Sequence, residues 1–198
     1  MEQIVLCPGS RSAPLAIAAE GLSEKNELEI FTCIDERSAA FFALGCSTIT
    51  SKATAVITTS GSAVANLLPA AVEADRSCQP LLFLTADRPL RLKDCGANQT
   101  VNQQDFLKSI CRWTNNEFKN GIHELDGKLL RDLIDKAWLK AHIFPGPVHL
   151  NLPFEEPLYP SKFEQSQVWS GEYEPSSFRS NIQSRRKIDE DENYFHPF

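Results

Sequence analysis

Five short segments stand out along the chain because their apolar residues run together instead of alternating with polar ones. They are 3–7 (Gln-Ile-Val-Leu-Cys), 28–33 (Leu-Glu-Ile-Phe-Thr-Cys), 53–59 (Ala-Thr-Ala-Val-Ile-Thr-Thr), 81–85 (Leu-Leu-Phe-Leu-Thr) and 147–152 (Pro-Val-His-Leu-Asn-Leu). Short, branched and mostly apolar, they read as strands covered on both faces. Between them apolar residues take helical spacing over 13–22, 36–48 and 63–75. The clearest periodicity lies at 127–143, where Leu129, Leu130, Leu133, Ile134, Ala137 and Trp138 recur behind a candidate cap, Asp126. Alternating strands and helices predict an α/β fold: a doubly wound, mainly parallel sheet with helices on both faces.

Such a sheet binds its ligand beyond the carboxyl ends of the strands, where loops feed helix N-termini. Four polar clusters are expected to gather on that rim: Pro8-Gly9-Ser10-Arg11-Ser12, Ile34-Asp35-Glu36-Arg37, Ser60-Gly61-Ser62 and Ala86-Asp87-Arg88-Pro89. From about Pro160 the pattern fails, and polar residues dominate through Arg185-Arg186-Lys187 and Asp189-Glu190-Asp191-Glu192. The expected organisation is a domain over 1–160, followed over 161–198 by a poorly ordered polar linker or the start of a central domain.

Composition narrows the function. The 198 residues carry 20 Lys+Arg against 26 Asp+Glu, a formal charge of −6, which argues against a nucleic-acid binder that relies on clustered cations. Runs such as Leu81–Leu84 fall far short of the roughly 20 apolar residues of a bilayer-spanning helix. Met1-Glu2-Gln3 leads directly into a strand pattern without a signal-peptide layout, so a cytoplasmic protein is expected. Cys7, Cys33, Cys46, Cys78, Cys95 and Cys111 are widely spaced, with no C-x-x-C pair, and are expected mostly to pack as small hydrophobes. His149, inside an apolar strand, reads as a hydrogen-bonded structural residue; His123, His142 and His196 form no recognisable set.

Two clusters could carry chemistry. Glu36 follows a strand and opens an apolar helix, where a carboxylate also interacts well with the helix dipole; position alone favours that ordinary role. Pro8-Gly9-Ser10-Arg11-Ser12 offers a tight turn, hydroxyls and a guanidinium suited to a carboxylate or phosphate. It lacks the Walker A lysine and spacing, and Ser60-Gly61-Ser62 lacks the dinucleotide pattern. Ser10 and Ser12 equally fit helix capping, and Arg11 fits a surface ion pair. Gly96-Ala97-Asn98-Gln99 lies in a long loop that fits either a binding loop or a solvated turn.

Taken in order, Cys-Pro-Gly-Ser-Arg-Ser-Ala-Pro-Leu at 7–15, Asp-Glu-Arg-Ser-Ala-Ala-Phe at 35–41, Thr-Ser-Gly-Ser-Ala-Val-Ala-Asn-Leu at 59–67, Leu-Thr-Ala-Asp-Arg-Pro at 84–89, Asp-Cys-Gly-Ala-Asn-Gln at 94–99 and Gly-Pro-Val-His-Leu-Asn-Leu-Pro-Phe-Glu-Glu-Pro-Leu-Tyr at 146–159 carry a resemblance. Over about residues 3–160 the chain resembles the pyrimidine-binding domain of thiamine-diphosphate enzymes. Within them it is most similar to the 2-succinyl-5-enolpyruvyl-6-hydroxy-3-cyclohexene-1-carboxylate (SEPHCHC) synthase family of menaquinone and phylloquinone biosynthesis.

The resemblance implies a transferase that decarboxylates 2-oxoglutarate and adds the resulting carbanion to isochorismate. It puts Glu36 at the catalytic glutamate position facing N1′ of the aminopyrimidine, where a carboxyl group promotes the tautomer that activates thiazolium C2. It puts Ser10, Arg11, Arg88, Asn98 and Gln99 at substrate-binding positions, and Pro8, Gly9, Ser62 and Asn66 beside Glu36 in the cofactor wall. Ser62 stands where many of these enzymes have threonine, and keeps the hydroxyl.

The resemblance begins almost at the first strand, so the family helix before it is expected to be absent, as is the pyrophosphate-binding domain that holds Mg2+ or Mn2+, and no metal ligand is expected in this chain. The family works as a homodimer or tetramer in which the two domain types meet across subunits, so the chain is expected to hold about half of each site and to be inactive alone. The alternatives are another thiamine-diphosphate decarboxylase or acetolactate-like synthase, and a truncated, non-catalytic binding module.

Overall fold

The computed structural model describes residues 1–115 and 121–161. Its central sheet comprises β1 (Gln3–Leu6), β2 (Glu29–Thr32), β3 (Thr54–Thr58), β4 (Leu81–Asp87), β5 (Trp113–Thr114) and β6 (Pro147–Pro153). They lie in the order β2-β1-β3-β4-β6-β5, and every pairing is parallel. The doubly wound reading therefore holds, with all the carboxyl ends on one rim. The chain moves outward from β1 to β2 and then returns to β3, so the topological switch point lies between β1 and β3.

Strand alternation sorts the core into two layers. Ile4, Ala55, Ile57, Leu82, Val148 and Leu150 face one side, with helices α1 (Ala13–Glu24) and α5 (Gly127–Ile143). Val5, Cys7, Val56, Leu81 and Phe83 face the other, against α2 (Glu36–Thr50) and α4 (Leu68–Arg76). Small residues let these helices sit close to the sheet: α2 buries Ala39, Ala40 and Ala43, and α4 buries Ala70, Ala71 and Ala74. Asp126 caps α5 as expected, accepting from the N–H groups of Lys128 at 2.9 Å and Leu129 at 2.8 Å.

The single helix expected over 63–75 is two, α3 (Ser62–Ala65) and α4. Pro69 lies in the first turn of α4, where its missing N–H is tolerated, whereas inside one continuous helix it would remove a backbone bond. Strand β5 has no counterpart in the sequence pattern. Two residues carry no readable period, and the strand forms because Arg112 N donates to Pro147 O at 2.8 Å and Asn115 N to His149 O at 3.2 Å. Ala86 and Asp87, expected in a loop, complete β4 opposite Leu152 and Pro153.

The cysteine expectation needs correcting in part. All six thiols are free and Cys7 is buried, but Cys78 and Cys95 are exposed, for both stand in surface turns: Cys78 itself has φ +51°, and Cys95 lies between Asp94 at +59° and Gly96 at +78°. Residues Met1–Pro160 form one compact unit. The polar segment 162–198, with His196, lies outside the described residues. No helix among the described residues is long and apolar enough to cross a membrane.

Candidate functional site

At the switch point the turn after β1 crosses the end of β3. A Cβ on Gly9 would stand 2.8 Å from both Cγ2 and Oγ1 of Thr59, closer than side chains pack, so only glycine fits. Pro8 and Ser10 are exposed beside it. Ser12 occupies the N-cap position of α1 but makes no side-chain capping bond; its Oγ donates back to Gly9 O at 3.0 Å. The hydroxyl thus holds the turn closed.

The next residue class is cationic. Arg11 is buried, 7% exposed, and reaches across to the segment after β6. Nη1 donates to Phe154 O at 3.1 Å and Nη2 to Glu156 Oε1 at 3.0 Å, while its buried Nε has no hydrogen-bond partner. The ion-pair reading is thus realised, from a buried guanidinium to an exposed carboxylate. Arg88, half-buried just past β4, gives Nη1 to Ser60 Oγ at 2.6 Å and to Gln99 O at 2.8 Å. Burial holds its guanidinium below the ordinary value, and the nearby Arg11 charge acts in the same direction. Two guanidinium groups therefore converge on one side of the rim.

Glu36 opens α2 at the end of β2, on the other side of the sheet from α1. Asp35 does the capping, accepting from Ser38 N at 2.7 Å; hydrogen bonding from the Ser38 side chain first, and from its backbone N–H second, holds the Asp35 carboxyl below its usual range. Glu36, half-buried, is left out of the cap and accepts a long bond of 3.4 Å from Asn66 Nδ2. Asn66 stands at the break between α3 and α4, so the Pro69 interruption brings its amide to the carboxylate. Beneath them burial pushes the Cys7 thiol up to about 12, with the Glu36, Cys33 and Asp35 charges adding to the effect. Ser62 is exposed at the first position of α3.

Asn98 and Gln99 are exposed in the loop after β4, and Gln99 has φ +57°. Gln99 Nε2 donates to Ser60 O at 3.0 Å, and Ser60 Oγ donates to Gln99 O at 3.2 Å. The structure thus brings Arg88, Gln99 and the β3 turn together. It keeps Glu36 with Asn66 as a separate pair.

A buried polar network beneath this rim is not visible in the sequence. Thr85 Oγ1 lies 2.7 Å from His149 Nε2 and donates to Asn151 Oδ1 at 3.1 Å. Asn151 Nδ2 donates to Asp87 Oδ2 at 2.7 Å, the same oxygen that pairs with Lys93 Nζ. Gln103, fully buried, joins the network to the β3 turn. His149 is the structural histidine expected: burial lowers its pKa to about 3, keeping it neutral.

The model for the thiamine pyrophosphate enzyme, N-terminal TPP binding domain, matches residues 1–108. Similar curated proteins carry the name 2-succinyl-5-enolpyruvyl-6-hydroxy-3-cyclohexene-1-carboxylate synthase. The chain is 63% identical to the one from Prochlorococcus marinus strain MIT 9313 over 171 residues, 86% of this chain and 29% of the relative. It is 62% identical to that from Prochlorococcus marinus strain MIT 9303 over 171 residues, again 86% of this chain and 29% of the relative. With Synechococcus sp. strain WH7803 the identity is 60% over 189 residues, 91% of this chain and 33% of the relative. The chain thus spans about a third of the length of the curated relatives it matches.

Proposed function

Because the chain belongs to the thiamine pyrophosphate enzyme family, through its N-terminal TPP binding domain, we propose that it forms the aminopyrimidine side of a SEPHCHC synthase. The synthase is a transferase that decarboxylates 2-oxoglutarate and joins the product carbanion to isochorismate. The observation that carries this reading is the placement of Glu36: a carboxylate at the carboxyl rim, relieved of capping by Asp35 and met by the Asn66 amide. Identities of 60–63% with proteins bearing the synthase name support the substrate pair.

The residues present fit the cofactor. Gly9 packs backbone against Thr59 with no room for a side chain, which leaves a smooth wall at the switch point. Pro8, Gly9, Ser62 and Asn66 would line the aminopyrimidine, and the Glu36 carboxyl would hold and share a proton at N1′. When bound, thiamine diphosphate supplies a nucleophilic carbon and an electron sink for loss of carbon dioxide from a 2-oxo acid.

Substrate carboxylates need fixed cationic and amide donors. Arg88 retains Nε and Nη2 after Nη1 is spent on Ser60 and Gln99, and the buried Arg11 guanidinium adds its positive charge beside them. Ser10, Asn98 and Gln99 complete that side of the rim. The preorganised guanidinium groups orient the reacting acid without rearranging at the moment of reaction.

The divalent cation of the diphosphate, Mg2+ or Mn2+, would be held by the pyrophosphate-binding domain of the family. Exposed Ile34, Phe41 and Phe42 lie on and beside the helix that opens with Glu36, which supports a homo-oligomer whose other subunit covers this face. A cytoplasmic location fits a transferase that acts on small soluble acids. Supplying the assembled enzyme with 2-oxoglutarate and isochorismate tests the proposal. Release of carbon dioxide with consumption of isochorismate is expected; preference for pyruvate with isochorismate ignored would assign it to another thiamine-diphosphate decarboxylase or acetolactate-like synthase.

A further inference from the structure

Gln103 lies in a short 3-10 turn after the long loop that follows β4, with no surface exposure. An uncharged amide in that position must satisfy its own donors and acceptor inside the protein. It does so on three different elements. Nε2 donates to Ala86 O on β4 at 2.9 Å and to Asn151 Oδ1 on β6 at 2.8 Å, while Oε1 accepts from Gly61 N in the turn after β3 at 2.8 Å. One side chain thereby ties three strand ends together.

The loop that carries Asn98 and Gln99 is anchored at both stems. At its start Lys93 Nζ donates to buried Asp87 at 2.7 Å and to Gln104 Oε1 at 2.7 Å; at its end stands Gln103. Between the stems Gln99 closes on the Gly61 turn through its side-chain and backbone bonds to Ser60. Gly61, at φ +88°, has no Cβ, and one would stand 2.7 Å from Gln99 Cγ. Arg88 completes the contact by donating to Ser60 and Gln99 together. Every member of this knot depends on where the Gly61 turn sits, and Gln103 holds that turn by its amide.

We propose that Gln103 is a positioning residue: its bonds to Gly61 N, Ala86 O and Asn151 Oδ1 lock the Arg88–Gln99 side of the rim to the Gly61–Ser62 side, so that the two behave as one body. What those sides bind rests on the function proposed above; the tie itself does not. Gln103 touches no reacting atom, and acts through Gly61 and Gln99. Its neighbour Gln104 bonds to Lys93 and leaves Gly61 untouched.

Two variants separate positioning from mere folding. Gln103→Met keeps the length and removes all three bonds; Gln103→Glu keeps an acceptor for Gly61 N and removes both donations. Amide hydrogen exchange on the full chain is the first readout. In Gln103→Met, exchange at the Gly61 amide is expected to accelerate about tenfold or more, as local opening requires, with β1 and β3 amides unchanged. Gln103→Glu retains more protection at Gly61 than Gln103→Met does.

In the assembled enzyme the same loss of register is expected to raise the KM for the substrate acids about 10- to 100-fold with a smaller change in kcat. Unchanged exchange at Gly61 overturns the proposal. So does a uniform loosening of the whole sheet with KM preserved, which is the signature of a purely structural role. If the unmodified enzyme ignores 2-oxoglutarate and isochorismate, the assignment of function fails, and the exchange data still decide the tie.

Discussion

Gly9 and Thr59 meet at the topological switch point, where the backbone of one turn lies against the side chain of the other. The contact leaves no volume for a methyl group. Gly9→Ala is therefore expected to destabilise the fold by about 1–3 kcal/mol, the usual cost of overpacking a site that cannot give way. Thr59→Gly in the same molecule should recover much of that loss. Urea-unfolding midpoints across the double-mutant cycle measure the coupling, and additive effects would show that the two residues do not interact.

His149 makes stability depend on pH in a defined direction. Its folded pKa is about 3 against 6.5 for the free side chain, so between these values the unfolded chain binds the extra proton. Its contribution is complete above pH 6.5 and is lost progressively as pH falls toward 3, with a slope of up to about 1.4 kcal/mol per pH unit. His149→Gln should flatten the unfolding free energy over that window. An unaltered pH profile would remove the histidine from the acid response.

The strands and most of the helices are legible because each is a local pattern. So is the position of Glu36 at a helix start on the rim, but position alone favours its ordinary role beside the helix dipole; that Asp35 takes the cap and leaves Glu36 to Asn66 shows only in the fold. Gln103, Thr85 and Asn151 are not legible. A buried amide or hydroxyl looks like a surface residue until its partner is known, and Gln103 finds Gly61 from 42 positions away. Arg11 shows the same limit. Its charge draws notice at once, but its burial comes from the Phe154 carbonyl, 143 positions on.

Arg11 and Glu156 divide unequally. The Arg11 side chain is 8% exposed and that of Glu156 65%, so the pair is screened on one side. Glu156→Gln is expected to change stability by about 1 kcal/mol or less. Arg11→Met in the assembled enzyme should raise the KM for the dicarboxylate substrate by about 10-fold, as loss of a fixed positive charge beside a ligand carboxylate does. Thermal unfolding and steady-state kinetics read the two effects separately. Equal KM values for Arg11→Met and the unmodified enzyme would take Arg11 out of substrate binding.

The thiols should divide by environment. Burial pushes Cys7 and Cys111 up to about 12, whereas Cys78 and Cys95 are exposed. At pH 8 iodoacetamide is expected to modify Cys78 and Cys95 first, the half-buried Cys111 slowly, and the buried Cys7 only on unfolding. Peptide mapping over time checks the order. Early labelling of Cys7 would show that the core beneath Glu36 opens in the native state.

The account turns on Glu36. Its most direct test is the rate at which the C2 proton of bound thiamine diphosphate exchanges with deuterium, followed by NMR after rapid quench, in the assembled enzyme and its Glu36→Gln variant. The amide keeps the shape of the side chain and cannot share a proton with N1′ as the carboxyl does. An exchange rate lower by about 100-fold or more, with cofactor still bound and the fold intact, is the expected result. Equal exchange rates in the two proteins would contradict the role of Glu36 and the function built on it.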